Sequence, residues 1–199
     1  KKKSSVAIAL SVFSLMNVAH AQVIIGTVNS AGVLSTGTAS ALADTATQNG
    51  GVAIGGRSTA SAIQTIAIGG ATASSKSAIA IGDHTTSSGE NAIAVGVNSS
   101  ATNNNAIAVG NTANATNDRT LAIGLSASAV SSDTIAIGSN AKSLNSYALA
   151  VGQNAYAGNS NSIAIGANTV ASNAANTIAF GNSSTSLGNN AISIGNSNT

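Results

Sequence analysis

A four-residue motif, large aliphatic–Ala–large aliphatic–Gly, occurs eleven times between residues 51 and 195, with Ser193 replacing Ala in the last copy. Successive motif glycines are 14 residues apart, except for one step of 13 and one of 15. These glycines are Gly55, Gly69, Gly82, Gly96, Gly110, Gly124, Gly138, Gly152, Gly166, Gly181 and Gly195. A fixed period this short is typical of a solenoid in which each repeat forms one turn.

We number the repeat so that the motif glycine is position 6. Small residues recur at fixed distances after this glycine. One small column lies three residues past the glycine and includes Ser58 and Thr72; another lies five residues past it and includes Ala60 and Ser74. Alternation with a period of two on both sides of a glycine predicts strand, turn and strand. Glycine permits the bend between the two strands. The sequence therefore predicts an all-β parallel solenoid of about eleven 14-residue coils.

The alternation also suggests which residues face inward. Positions 3 and 5 are always large and apolar, as in Ile93 and Val95, so we expect them to fill the coil. Position 4 would then point outward, yet it stays small. We therefore expect this column, or one of the small columns on the second strand, to face a closely packed neighbouring chain.

Composition separates this chain from ordinary globular proteins. Charged residues make up 6% of it and aromatic residues 2%, and it contains neither Pro nor Cys. Low charge with apolar residues in strict register indicates a fibrous body held by backbone hydrogen bonds. The absence of Cys excludes a disulfide framework and thiolate chemistry.

The N-terminal segment reads as a separate unit. Three lysines precede an apolar run over residues 6–16 and then Ala19-His20-Ala21, which predicts a signal peptide over residues 1–21. The alternative is a membrane anchor or a buried helix, but the run is short for a bilayer span. Residues 22–50 are off register and predict an irregular cap or linker, and residues 51–199 form the repeat solenoid.

Removal of the signal peptide changes the net charge of the protein. The full sequence carries +2, whereas residues 22–199 contain four basic and five acidic residues and carry −1. Nucleic-acid binding, which requires a basic surface, loses its support.

Residues that could carry chemistry are few. His84, with Asp83 and Glu90 nearby in sequence, is the single histidine after the signal peptide, and a lone surface histidine is usually inert. No metal-ligand cluster or hydrolase carboxylate pair is apparent. We expect no catalytic, cofactor or metal site, and the sequence assigns no ligand-binding residue. Tyr147 and Tyr156, on one coil, are either an anchor for a ligand or incidental surface aromatics.

Equal positions of stacked coils should form ladders about 4.8 Å apart. Position 1 is most often Asn, so we expect asparagine hydrogen bonds along the stack. In the same column, Arg119 should lie over Asp133. The other charged residues fall in the turn after the glycine, at the junction between repeats or, for Lys142, between the small columns.

Phe180 is the one aromatic residue in the aliphatic columns, and it follows the 15-residue step from Gly166 to Gly181. We expect the coil to widen by one residue to admit the ring, because overpacking a core costs about 1–3 kcal/mol.

The repeat Asn161-Ser162-Ile163-Ala164-Ile165-Gly166 resembles the head repeat of trimeric autotransporter adhesins, the YadA-like surface proteins of Gram-negative bacteria. The resemblance covers about residues 50–199. It implies a left-handed parallel β-roll, packing as a homotrimer, and export to the bacterial cell surface. The family also has a stalk and an outer-membrane β-barrel anchor, which do not occur in residues 1–199.

The resemblance implies an adhesin head and a role in virulence, with attachment to host extracellular matrix, host cells or other bacteria. The alternative is an architectural spacer or fibre segment without its own ligand, and an enzyme is not expected. Because no residue cluster stands out, the sequence predicts metal-independent binding spread over many coils.

Overall fold

The computed structural model describes residues 51–199 and, before them, four short strands at Val23–Ile25, Thr27–Val28, Leu34–Ser35 and Thr45–Ala46. Each repeat contributes one three-residue and one two-residue strand, except the last, which contributes only Ile192–Ile194. The first sheet pairs Val23–Ile25 with Val52–Ile54, Ile66–Ile68, Ile79–Ile81, Ile93–Val95, Ile107–Val109, Leu121–Ile123, Ile135–Ile137, Leu149–Val151, Ile163–Ile165, Ile178–Phe180 and Ile192–Ile194. The second sheet pairs Thr45–Ala46 with Thr59–Ala60, Thr72–Ala73, Thr86–Ser87, Ser100–Ala101, Asn114–Ala115, Ser128–Ala129, Lys142–Ser143, Tyr156–Ala157, Val170–Ala171 and Thr185–Ser186.

Both sheets are parallel, and each strand pairs with the equivalent strand one coil away. Ile107, Ala108 and Val109, for example, lie beside Leu121, Ala122 and Ile123. The backbone ladder continues through the turns, where the Gly110 amide donates to the Val95 carbonyl at 2.8 Å. The predicted parallel solenoid of 14-residue coils is confirmed.

The predicted signal peptide, residues 1–21, lies outside the described residues. Within residues 22–50, Val23–Ile25 pairs in parallel with Val52–Ile54, and Thr45–Ala46 pairs in parallel with Thr59–Ala60. Thr27–Val28 and Leu34–Ser35 form a separate antiparallel pair. The first repeat of the solenoid therefore has strand neighbours on its N-terminal side.

The interior of the coil is lined by small residues, so the predicted orientation of the first sheet is wrong. The position-4 alanines, such as Ala108 and Ala122, are fully buried, while their aliphatic neighbours are partly exposed on the other face. Positions 2, 9 and 11 also point inward and hold Ala, Ser or Thr. A 14-residue coil brings its two sheets so close that methyl and hydroxyl groups fill the space between them. The small columns therefore face each other within one chain and not a second chain.

Inward hydroxyl groups are stabilised by backbone carbonyls. Ser87 Oγ donates to the Ala92 carbonyl at 2.9 Å, and Ser143 Oγ donates to the Ala148 carbonyl at 2.8 Å. At position 2, Thr134 Oγ1 donates to the Ser131 carbonyl at 2.6 Å and so closes the turn between coils. Ser and Thr can therefore alternate with Ala inside the coil, because a buried hydroxyl with a partner costs little.

The 13-residue step shortens the turn after Gly69. Register in the second sheet places Ala73 beside Ala60, and Ala71 and Ala73 point inward, fully buried. The predicted small columns, which assigned Thr72 and Ser74 to this coil by counting from the glycine, are therefore displaced by one residue here: Ala71 and Ala73 occupy those positions. The missing residue belongs to the turn, because the ladder tolerates no change of register.

The 15-residue step and Phe180 are unconnected. The extra residue lies at the junction before Asn176, where Asn173 adopts a φ of 67°. Phe180 points outward and is 50% exposed, so its ring does not occupy the interior. The prediction that the coil widens to admit the ring is wrong.

The extra residue leaves one mark on the interior. Thr177, at position 2, is fully buried, and its Oγ1 has no hydrogen-bond partner, unlike Thr134 Oγ1. An unpaired buried hydroxyl costs about 1–3 kcal/mol. Replacing Thr177 by Val should therefore raise the melting temperature or leave it unchanged.

The matched variant is Thr134→Val, which removes a hydroxyl that has a partner. It should lower the free energy of unfolding by about 1 kcal/mol. Thermal unfolding monitored by circular dichroism compares the two. Equal losses in both variants would show that the Thr177 hydroxyl also has a stabilising role.

Two positions in every regular coil adopt left-handed backbone geometry, which explains the frequency of Asn. Positions 1 and 8 have φ near +57°, as in Asn91 and Asn98, in the region that Asn tolerates better than other non-glycine residues. Bulkier residues such as Thr112 also take this geometry. The frequency of Asn at positions 1 and 8 is therefore explained mainly by backbone conformation, and hydrogen bonding between stacked Asn side chains is a secondary reason.

Candidate functional surfaces

Charged side chains lie along the two narrow edges of the solenoid. We call the turn after each motif glycine the turn edge and the connection between repeats, positions 12 to 1, the junction edge. On the junction edge, Lys76 Nζ lies 3.3 Å from Glu90 Oε1 one coil away. The prediction that charges avoid the interior is confirmed for residues 51–199.

Arg119 and Asp133 form the predicted pair at position 1 of adjacent coils. Arg119 Nε donates to Asp133 Oδ1 at 2.6 Å and Nη2 donates to Oδ2 at 2.8 Å. The hydrogen bond from Arg119 lowers the pKa of Asp133, and the hydrogen bond to Asp133 raises the pKa of Arg119. This bidentate geometry links two adjacent coils across the exposed junction edge.

The lowered pKa of Asp133 predicts an acid-dependent contribution to stability. Folded Asp133 binds a proton less readily than unfolded Asp, so its contribution is complete above about pH 4 and is lost as pH falls through its folded pKa. The raised pKa of Arg119 keeps the arginine side of the pair charged throughout this range. Arg119→Gln should therefore lower the melting temperature at pH 7 and have a smaller effect in strong acid.

Arg57→Gln is the control for this measurement, because Arg57 forms no ion pair within residues 51–199. Its melting temperature should follow the wild type at every pH. A constant difference between Arg119→Gln and wild type across the acid range would contradict a titrating ion pair.

His84 and Asp83 lie together on the turn edge, with Nδ1 2.9 Å from Oδ2. Both side chains are about 60% exposed. Together with Arg57 and Gly70 they line a shallow notch of about 280 Å³, where the 13-residue coil lacks one turn residue. Glu90 lies instead on the junction edge with Lys76. The structure therefore keeps Asp83 and His84 together and separates Glu90 from them, and all three side chains are about half exposed or more.

Asparagine ladders occur on both edges. On the junction edge, Asn161 Nδ2 donates to Asn176 Oδ1 at 3.2 Å, and Asn176 Nδ2 donates to Asn190 Oδ1 at 3.0 Å. On the turn edge, Asn154 Nδ2 donates to Asn168 Oδ1 at 2.9 Å. The predicted asparagine ladder at position 1 is confirmed for these coils. The ladder at position 8, on the turn edge, was not predicted; positions 1 and 8 share the same left-handed backbone geometry.

Tyr147 and Tyr156 occupy different parts of their coil. Tyr147 lies at position 1 on the junction edge and is 65% exposed. Tyr156 belongs to the second sheet, points outward and is partly buried. Sequence spacing placed both on one coil but did not show that they belong to different surfaces.

Within the described part of the chain, no three His, Asp or Glu side chains come together to hold a metal ion. A search of the same residues finds no helix with the length and hydropathy of a membrane span.

Comparison with protein families places this structure in a class of surface adhesin repeats. The YadA head domain repeat matches eight segments: residues 46–72, 73–99, 87–113, 101–127, 115–141, 129–155, 143–169 and 172–198. The chain belongs to the YadA head domain repeat family. Both the repeat and the parallel β-roll are therefore those of an adhesin head of the trimeric-autotransporter type.

Among solved structures, the chain is similar to the collagen-binding domain of the Yersinia adhesin YadA. The two share 28% identity with a TM-score of 0.44, over 87% of this chain and 80% of the other. No curated protein matches the sequence significantly.

Proposed function

We propose that this chain is the head of a bacterial surface adhesin that attaches to host extracellular matrix, host cells or other bacteria. Membership of the YadA head domain repeat family, over most of residues 46–198, carries this proposal. The fold is consistent with such a role, because a long stack of coils presents an extended and regular surface.

The outward face of the first sheet supports assembly into a homotrimer. We call this face, formed by the aliphatic residues of positions 3 and 5, the aliphatic face. It runs the length of the stack, and Val97 and Leu125, 42% and 53% exposed, extend it onto the turn edge. Contiguous apolar surface of this extent marks an interaction site. Two further copies of this chain are the fitting partners, since they have the same periodicity and trimers are typical of the family.

Export to the cell surface rests on the predicted signal peptide. Cleavage after Ala21 would release a chain that begins at Gln22. Mass spectrometry of the exported protein should show the loss of residues 1–21, and lysines 1–3 retained on surface protein would contradict the proposal.

Adhesion is tested with the purified trimer on surfaces coated with matrix fibres or host cells. Wild-type protein should bind, and EDTA should leave binding unchanged. A deletion series that removes whole repeats, first residues 97–110 and then residues 97–124, keeps the register and shortens the head. Loss of attachment with head length supports an adhesin.

The alternative function is a spacer that displays another domain. No attachment by any length of folded trimer, on matrix, on cells or between bacteria, would overturn the adhesin proposal and favour the spacer.

A further inference from the structure

The outward face of the second sheet changes its chemistry along the stack. Position 10 carries short polar side chains in the first six described repeats: Thr59, Thr72, Thr86, Ser100, Asn114 and Ser128. In the next three coils the column reads Lys142, Tyr156 and Val170, which are direct neighbours in the sheet, and it returns to Thr185 afterwards. One stretch of the otherwise polar position-10 column is therefore cationic, aromatic and aliphatic.

Tyr156 lies over a glycine that makes room for its ring. A Cβ built on Gly158 would lie 2.6 Å from Tyr156 Cε1 and 3.2 Å from Cζ, so the ring occupies the place of a side chain at residue 158. Elsewhere in residues 51–199 the same column, position 12, holds a residue with a side chain: Ser61, Ser74, Ser88, Thr102, Thr116, Val130, Leu144, Ser172 and Leu187. Gly158 thus leaves room for the ring to lie along its own strand, and Tyr156 stays partly exposed.

A cation and two aliphatic residues occupy neighbouring positions of the sheet: Lys142 and Val170 pair directly with Tyr156. Lys142, one coil away, is exposed and forms no ion pair within residues 51–199. Leu144 and Val170 are partly buried beside it. We call Lys142, Leu144, Tyr156, Gly158 and Val170 the Tyr156 patch. It combines a stacking surface with an unpaired positive charge.

The backbone beneath the patch is not available to a partner. The Lys142 amide donates to the Ala155 carbonyl at 2.8 Å, and the Tyr156 amide donates to the Thr169 carbonyl at 2.9 Å. A peptide cannot add as a strand where the backbone is already paired. A partner must therefore bind through the ring, the ammonium group and neighbouring polar side chains.

A sugar ring with an acidic substituent matches these groups. Its C–H face can pack on the apolar face of Tyr156, while its hydroxyl groups remain solvated. Its carboxylate or sulfate can accept a charge-assisted hydrogen bond from Lys142 Nζ. Coils about 4.8 Å apart also offer polar side chains at regular intervals to a linear polymer.

We propose that the Tyr156 patch binds acidic polysaccharide, with Tyr156 stacking on a sugar ring and Lys142 pairing with its acidic group. The inference rests on the proposed adhesin function and names one ligand class for it. The patch lies on the face opposite the aliphatic face, so assembly through the first sheet leaves it open. Three copies in a trimer would raise the apparent affinity through effective concentration.

The test measures binding of the full chain to hyaluronan, a polymer with one carboxylate per disaccharide, with dextran as the neutral polymer and poly-L-glutamate as the acidic polypeptide. Wild-type protein should prefer hyaluronan to both. Lys142→Gln and Tyr156→Thr should each weaken binding about tenfold, the loss that corresponds to one contact of about 1.4 kcal/mol. Gly158→Ser should also weaken it, because the added side chain displaces the ring.

Matched controls use an aromatic residue and a cation outside the patch. Tyr147→Asn and Arg57→Gln should bind hyaluronan like wild type, and all variants should melt and sediment like wild type. Tyr156→Thr is conservative for the fold, since Thr59, Thr72 and Thr86 occupy the same column.

Three results would overturn the proposal: wild-type affinity in both Lys142→Gln and Tyr156→Thr, equal or tighter binding of poly-L-glutamate, or no binding of hyaluronan by a wild-type head that still attaches to matrix. The last result leaves the adhesin function intact. Conversely, specific hyaluronan binding by a head that attaches to no matrix, cell or bacterium supports the patch and contradicts the adhesin function.

Discussion

Replacing Gly124 by Ala is expected to destabilise the solenoid more than any substitution on its surface. Gly124 has a φ of +131°, and a Cβ there would lie 2.5 Å from the Gly138 carbonyl oxygen and 2.6 Å from its carbon. Both obstacles are backbone atoms that the ladder holds in place. Backbone strain and overpacking together cost about 2–6 kcal/mol.

The control for this substitution is Gly188→Ala. Gly188 is outside the left-handed region, and the nearest atom to its added Cβ is the Ala191 Cβ at 3.3 Å. Thermal unfolding of both variants should show a large fall in melting temperature for Gly124→Ala and a change within about 1 kcal/mol for Gly188→Ala. Similar melting temperatures would contradict close stacking of the motif glycines.

The second large effect is expected from Ala122→Glu. Ala122 is fully buried, and so are its neighbours Ala108 and Ala136 in the adjacent coils. A longer side chain has no space there, and an unpaired carboxylate inside the coil costs several kcal/mol. The variant should lose β structure in circular dichroism. Asn111→Glu, on the exposed turn edge, should keep both fold and assembly.

This expectation differs in mechanism from the one that the sequence suggested. If Ala122 faced another chain, Ala122→Glu would produce folded single chains. Because it faces the interior, we expect the chain itself to unfold. Sedimentation combined with circular dichroism distinguishes the two outcomes, and a folded monomer would contradict the structure.

Periodicity was sufficient to predict the coil length, the strand–turn–strand order, the glycine bend and the placement of charges on the edges. Alternation also divided the strands into two faces correctly, except in the 13-residue coil after Gly69. It did not show which face is inside, because a period of two is the same for either choice. The rule that large aliphatic residues are buried then selected the wrong face for a coil this narrow.

A signal for the correct choice was present in the range of side-chain sizes. Up to Gly195, positions 2, 4, 9 and 11 hold only Gly, Ala, Ser or Thr, whereas position 5 accepts both Val95 and Phe180. A column that tolerates such a change in volume faces open space or a deformable interface, and a column of constant volume faces a tight interior. The variable columns, not the constant ones, form the aliphatic face.

The candidate surface was harder to predict than the fold. The sequence singled out Tyr156, but the significance of Gly158 appears only when the ring is seen to occupy its side-chain position. Similarly, the Asp83–His84 notch depends on the missing turn residue after Gly69, in the coil between Arg57 and His84. Such features arise from contacts between repeats, and the repeat pattern alone does not specify them.

Single cysteines test directly whether each chain buries its alanines and associates through its aliphatic face, because the chain has no cysteine of its own. Ala122→Cys and Ile123→Cys place the thiol on opposite faces of one strand. Folded protein is treated with a short thiol-to-thiol crosslinker and, separately, with a polar maleimide, for which Asn111→Cys is the reactive control. We expect Ile123→Cys to yield covalently linked chains on a denaturing gel and Ala122→Cys to stay uncrosslinked and unlabelled. Crosslinking through residue 122, with none through residue 123, would contradict the account.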